Sequence, residues 1–97
     1  MKKIIPMEIK LQVSIMKQGK QYVAFAPALD LSTSGKSLQQ VQKRFSEMVD
    51  IFFEELIEQK TLEEVLLNLG WMKIKKQWNP PQVISQKAFD IRLPVAA

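Results

Sequence analysis

The sequence predicts an α+β domain: an antiparallel sheet in the order β-β-β-α-α-β, with helices packed on one face. Three observations predict it. Apolar and polar residues alternate strictly near the start, a long stretch in the middle carries apolar residues at helical spacing, and alternation returns near the end. Strands come together first and helices follow, which separates this pattern from the regular alternation of an α/β chain.

Ile9, Leu11, Val13 and Ile15 alternate with Glu8, Lys10, Gln12 and Ser14, the period of a half-buried strand. Lys17-Gln18-Gly19-Lys20 supplies a polar turn whose glycine can take positive φ, and Tyr22 to Ala26 is β-prone, so residues 8–26 read as a hairpin. Pro27 has no N–H to give a ladder and ends the second strand. Leu29, Leu31 and Thr33 alternate with Asp30, Ser32 and Ser34 as a short third strand, which Gly35 breaks.

Ser37-Leu38-Gln39-Gln40 has the Ser-x-x-Gln form of a capping box and opens a long helix. Leu38, Val41, Phe45, Met48 and Phe52 then form an apolar stripe, widened by Val49, Leu56 and Ile57. Lys60 closes that helix, and Thr61-Leu62-Glu63-Glu64 reads as a second capping box. It opens a shorter helix through Val65, Leu66 and Leu69, with Gly70 at its C-terminal cap. The segment WMKIKKQWNPPQV reads as a strand fragment or ordered loop that ends in a polyproline-like corner at Pro80-Pro81. Phe89, Ile91, Leu93 and Val95 alternate with Asp90, Arg92 and Pro94, a final strand near residues 87–95. No internal repeat or linker divides the chain, so residues 1–97 are expected to form one domain, with 71–97 as an extension.

Apolar residues at 46% and charged residues at 25% suit a folded globular chain. Pro6, Glu8 and Lys10 interrupt any apolar signal region, and no stretch approaches the ~20 apolar residues of a membrane span, so a cytoplasmic protein without membrane association is expected. With no cysteine and no histidine, disulfides, thiolate nucleophiles, imidazole bases and the usual zinc sites are excluded within this sequence. An enzyme would have to work with carboxylates, lysines or hydroxyls, and a non-enzymatic protein without cofactor or metal is expected.

Four constellations bear on function. Glu54 and Glu58 share a helix face, but paired glutamates on an exposed face are more often solvent contacts than metal ligands. Ser32-Thr33-Ser34 beside Lys36 has the composition of a Ser-Lys nucleophile, yet turn and cap roles account for these hydroxyls. Trp71, Lys73, Lys75, Lys76 and Trp78 combine aromatic and basic residues as single-stranded nucleic-acid binders do. The structural alternative is that both indoles pack inward while the lysines reach solvent. Finally, residues 45–70 carry a net charge of −6 and leave +10 on the rest of the chain. The helix face bearing Glu47, Asp50, Glu54 and Glu58 therefore suits a basic partner.

The stretch YVAFAPALDLSTSGKSLQQVQKRFSEMVDIFFEEL resembles the HicB family of bacterial antitoxins. Tyr22, Ala24, Pro27, Leu29, Gly35 and Ser37 occupy its aromatic-x-Ala, Pro-x-Leu and Gly-x-Ser positions, and the likeness spans residues 8–70. The resemblance implies a partial ribonuclease-H-like domain that neutralises a small, basic, mRNA-cleaving HicA-type toxin by covering its active site. It carries no implication of catalysis. Many members continue into a DNA-binding domain. Here FDIRLPVAA is similar to the strand that opens a ribbon-helix-helix unit, but the two helices do not follow in this sequence, and DNA binding is not expected. That strand is expected instead to join the domain's own sheet or to pair with a second chain in a homo-dimer or higher oligomer. The alternative function is a nucleic-acid-binding or regulatory module without a toxin partner.

Overall fold

A computed structural model describes residues 8–96. In chain order its elements are β1 (Ser14–Gln18), β2 (Gln21–Ala26), β3 (Leu31–Gly35), α1 (Leu38–Glu58), α2 (Leu62–Asn68), β4 (Met72–Ile74) and β5 (Gln77–Asn79). The first three strands form an antiparallel sheet in the order β1-β2-β3, and β4 and β5 form a separate hairpin. The α+β class, the antiparallel sheet and the two helices follow the expectation. The closing part of the predicted order does not.

Turn chemistry sets the register of the main sheet. Gly19 takes φ +62°, the glycine-first form of a two-residue hairpin turn, and places Gln18 opposite Gln21 and Ser14 opposite Phe25. β1 therefore begins at Ser14 rather than at Glu8. Pro27 and the turn behind it stop β2 at Ala26, so most of residues 8–13 has no strand to pair with. Their alternation still acts, because Ile9 and Leu11 turn inward and pack on the core. Leu29 lies in the turn before β3, donating its N–H to the Ala26 carbonyl, and is buried.

Gly35 is the last residue of β3, and its role is steric. A Cβ built there would meet the Val41 backbone nitrogen at 2.8 Å, so glycine lets the start of α1 lie against the strand. Ser37 Oγ accepts the Gln40 N–H at 3.0 Å, as a capping serine should. The Gln40 side chain reaches one residue further back than a capping box requires and accepts the Lys36 N–H at 2.6 Å.

α1 lies over β2 and β3, with Val41 and Phe45 packed on Ala24 and Ala26. Those two alanines are fully buried, and their small size admits the helix. At ~31 Å, a helix of this length outruns the ~20 Å of β2. Leu38 and Ile57, counted in the apolar stripe, are accordingly exposed at its two ends.

Both helices finish in the same way. The Thr61 N–H donates to the Leu56 carbonyl across Lys60 at φ +61°, and the Trp71 N–H donates to the Leu66 carbonyl across Gly70 at φ +91°. Because the Thr61 backbone is committed to the first of these caps and is not extended, its side chain makes no capping bond to α2. The second predicted capping box is absent.

The segment after Gly70 is a hairpin with a turn at Lys75 and Lys76, both at positive φ (52° and 65°). It buries Trp71 and Trp78 with Leu66, Ala28 and Leu29 in a second core cluster, and Trp71 Nε1 donates to the Ala28 carbonyl at 2.7 Å. Phe53 meets Trp71 edge-on at 6.4 Å. Leu11, Leu31 and Val49 touch both clusters and join them into one core.

Residues 80–96 form no strand and residues 81–96 are exposed throughout, so the predicted strand near 87–95 does not join the domain's own sheet. The molecule measures 66 × 29 × 21 Å, with a radius of gyration of 16.9 Å. A compact chain of this length has roughly 12–13 Å. The difference is the C-terminal arm standing away from the body. Among the described residues, no helix is long and apolar enough to cross a membrane.

Candidate functional site

The exposed face of α1 is built by helical spacing. Glu47, Asp50, Glu54 and Glu58 are all exposed and fall on one stripe about 16 Å long, on the side opposite Val41, Phe45 and Leu56. The structure brings these four residues together as the sequence predicts. It adds two residues to that face. Ile51 is 55% exposed in the middle of the stripe, and Glu55 is exposed on its flank. An apolar side chain ringed by carboxylates has the make-up of a small docking patch, with a central contact and a charged rim. A helical wheel centred on the acids, rather than on the core residues, would have revealed Ile51.

The placement of charge along α1 runs against its own dipole. Its first turn holds no acid and its last turn no base. Lys43 and Arg44 stand in the N-terminal half, while Glu54, Glu55 and Glu58 crowd the C-terminal end. Helix carbonyls at that end already carry partial negative charge, so each acid there costs about 0.3–1 kcal/mol at low salt instead of contributing it. α2 follows the favourable rule, with Glu63 and Glu64 in its first turn. The acids at the C-terminal end of α1 are thus poorly explained by helix stability. Arg44 has a structural role, donating to the Ser34 carbonyl at 2.9 Å and pinning α1 to β3.

Glu54 and Glu58 share the face as predicted. Among the described residues, no three acidic side chains converge as metal ligands would. Ser32, Thr33 and Ser34 lie in β3, and Ser37 caps α1.

In the basic segment, Lys73, Lys75 and Lys76 are exposed, but Trp71 and Trp78 are buried at 2% and 8% exposure. Lys73 Nζ lies 5.5 Å from the Trp78 ring centroid, covering part of what remains. The indoles are core residues, so Trp78 offers no open face on which a base could stack, contrary to its predicted contact role. The outer side of the β4–β5 hairpin presents Met72 and Ile74 with Gln77 and Asn79, next to the turn at Lys75 and Lys76.

Among the described residues, nothing packs over the far face of the main sheet. Met16, Val23 and Phe25 point away from α1, flanked by Ser14, Ser32 and Ser34 on the neighbouring strands. None of these three belongs to the core clusters. Comparison of the chain with protein-family models, with curated proteins and with solved structures returns no match.

Proposed function

We propose that this protein is a HicB-like antitoxin, which binds a HicA-type mRNA-cleaving toxin through the acidic face of α1 and blocks it by contact, without chemistry of its own. The observation that carries this reading is the Ile51-centred acidic stripe, whose C-terminal acids oppose the helix dipole. A surface that costs the helix stability, yet complements a basic protein, is best accounted for by binding. The resemblance over residues 8–70 supplies the partner class, and the β-β-β-α order of the first four elements is compatible with the partial ribonuclease-H-like domain that it implies.

Co-expression with a HicA-type toxin tests the proposal. Growth should be rescued, and the two chains should co-purify as a complex that weakens when Glu47, Asp50 or Glu54 is replaced by lysine. A toxin that stays active in the presence of folded protein, with no complex recovered, would rule the proposal out.

A further inference from the structure

Among the described residues, the arm and the sheet edge each lack a partner that the other could supply. Phe89, Ile91, Leu93 and Val95 are 78%, 75%, 76% and 82% exposed, and they alternate in sequence with Asp90, Arg92 and Pro94, so that an extended strand would carry them on one side. β1 is an edge strand with one row of backbone groups unpaired by the sheet. On the helix side of that edge, Ile9 and Leu11 pack against the core, while Val13 and Ile15 keep 37% and 36% of their surface exposed, because α1 packs over β2 and β3. The result is an apolar ledge beside an open edge.

We propose that residues Phe89–Val95 of one copy add to β1 of a second copy as an antiparallel strand, reciprocally, in a two-fold dimer. Setting Ile91 opposite Ile15 places Leu93 opposite Val13, and Phe89 along the Lys17 stem, so the ridge meets the apolar side chains at this edge. A slip by one residue would turn the ridge to the other face, where β1 offers Ser14, Met16 and Gln18 in place of Val13 and Ile15.

The occupant is a second copy rather than the arm's own body for a topological reason. Pro80, Pro81, Gln82 and Val83 line a cleft of about 310 Å³ with Lys10, Gln12, Pro27 and Ala28, so the arm departs from the Ser14 end of β1. Folding back along its own β1 would force parallel pairing. A second copy allows the antiparallel ladder that the rest of the sheet uses. Covering ridge and ledge twice removes on the order of 1,500 Å² from water, within the range of a stable interface. This pairing is independent of toxin binding.

The absence of cysteine makes the test direct. Directly opposed strand residues have Cα atoms ~4.5–5.5 Å apart, within disulfide reach. Wild-type chain should sediment as a dimer at micromolar concentration. Mixing an Ile15→Cys chain with an Ile91→Cys chain under mild oxidation should give a disulfide between the two different chains, in preference to like-with-like products. Ile91→Asp and Ile15→Asp should each yield monomer, with circular dichroism confirming that the fold is kept. Monomeric wild type would overturn the proposal. So would cross-linking of Ile91→Cys only to itself, which would mean that arms pair with arms. An intrachain disulfide in the Ile15→Cys, Ile91→Cys double variant would equally overturn it, by placing the arm on its own sheet.

Discussion

Reversing the last acid of α1 should move fold stability and partner affinity in opposite directions. Glu58 is the final helical residue and stands one turn beyond Glu54. Glu58→Lys replaces an acid at the negative end of the dipole with a base, worth about 0.5 kcal/mol at an exposed position. It also exchanges a like-charged i,i+4 pair with Glu54 for a favourable one, adding ~0.3–0.5 kcal/mol. The fold should gain close to 1 kcal/mol, or roughly 4–8 °C in Tm for a domain of this size. At the toxin, one attraction is lost and one repulsion is gained. Two charges ~6 Å apart in water interact by ~0.7 kcal/mol, so the swing is ~1.4 kcal/mol, about tenfold in Kd. Differential scanning calorimetry at low salt reads the first effect, and isothermal titration with the toxin reads the second. Both should shrink at 1 M salt, where the Debye length is ~3 Å. A lower Tm would refute the dipole argument, and a raised Tm with unchanged affinity would remove the C-terminal end of the stripe from the interface.

Gly35→Ala should lose about 1–3 kcal/mol in urea unfolding, because the methyl group meets the Val41 backbone rather than a movable side chain. Trp71→Phe keeps most of the buried surface but leaves the Ala28 carbonyl without its donor, so its urea midpoint should fall by the equivalent of ~1–3 kcal/mol. Replacing Lys75-Lys76 with Asn-Gly fits the positive φ at both positions and should raise stability by ~1–2 kcal/mol; a thermal melt showing no gain would mean that the lysines bear no strain there.

Legibility in the sequence followed how local each cause was. Pro27 as a strand stop, Ser37 as a cap and Gly70 as a helix end each act through neighbouring backbone, and the structure places them as read. The β4–β5 hairpin stayed hidden because its turn uses two lysines at positive φ, where the familiar signal is asparagine and glycine. Thr61 carried the letters of a capping box, but a cap for the preceding helix had already claimed its backbone. Phe89 to Val95 has the alternation of a strand, and alternation reports a preference for a half-buried ribbon without saying where the other half lies. At the candidate site the acids were legible as a charge pattern. Ile51 was not, since an apolar residue on a helix is assigned to the core by default.

The bond from Trp71 to Ala28 joins residues 43 positions apart, whereas the two hairpins and both helices close within short stretches of chain. That difference assigns an order to folding. Elements closed by near neighbours form in microseconds, and the entropy of the longer loop is met only when the tryptophan hairpin docks beside the β2–β3 turn. Leu11 touches both clusters, so the contacts of the segment before β1 are complete only when both have formed.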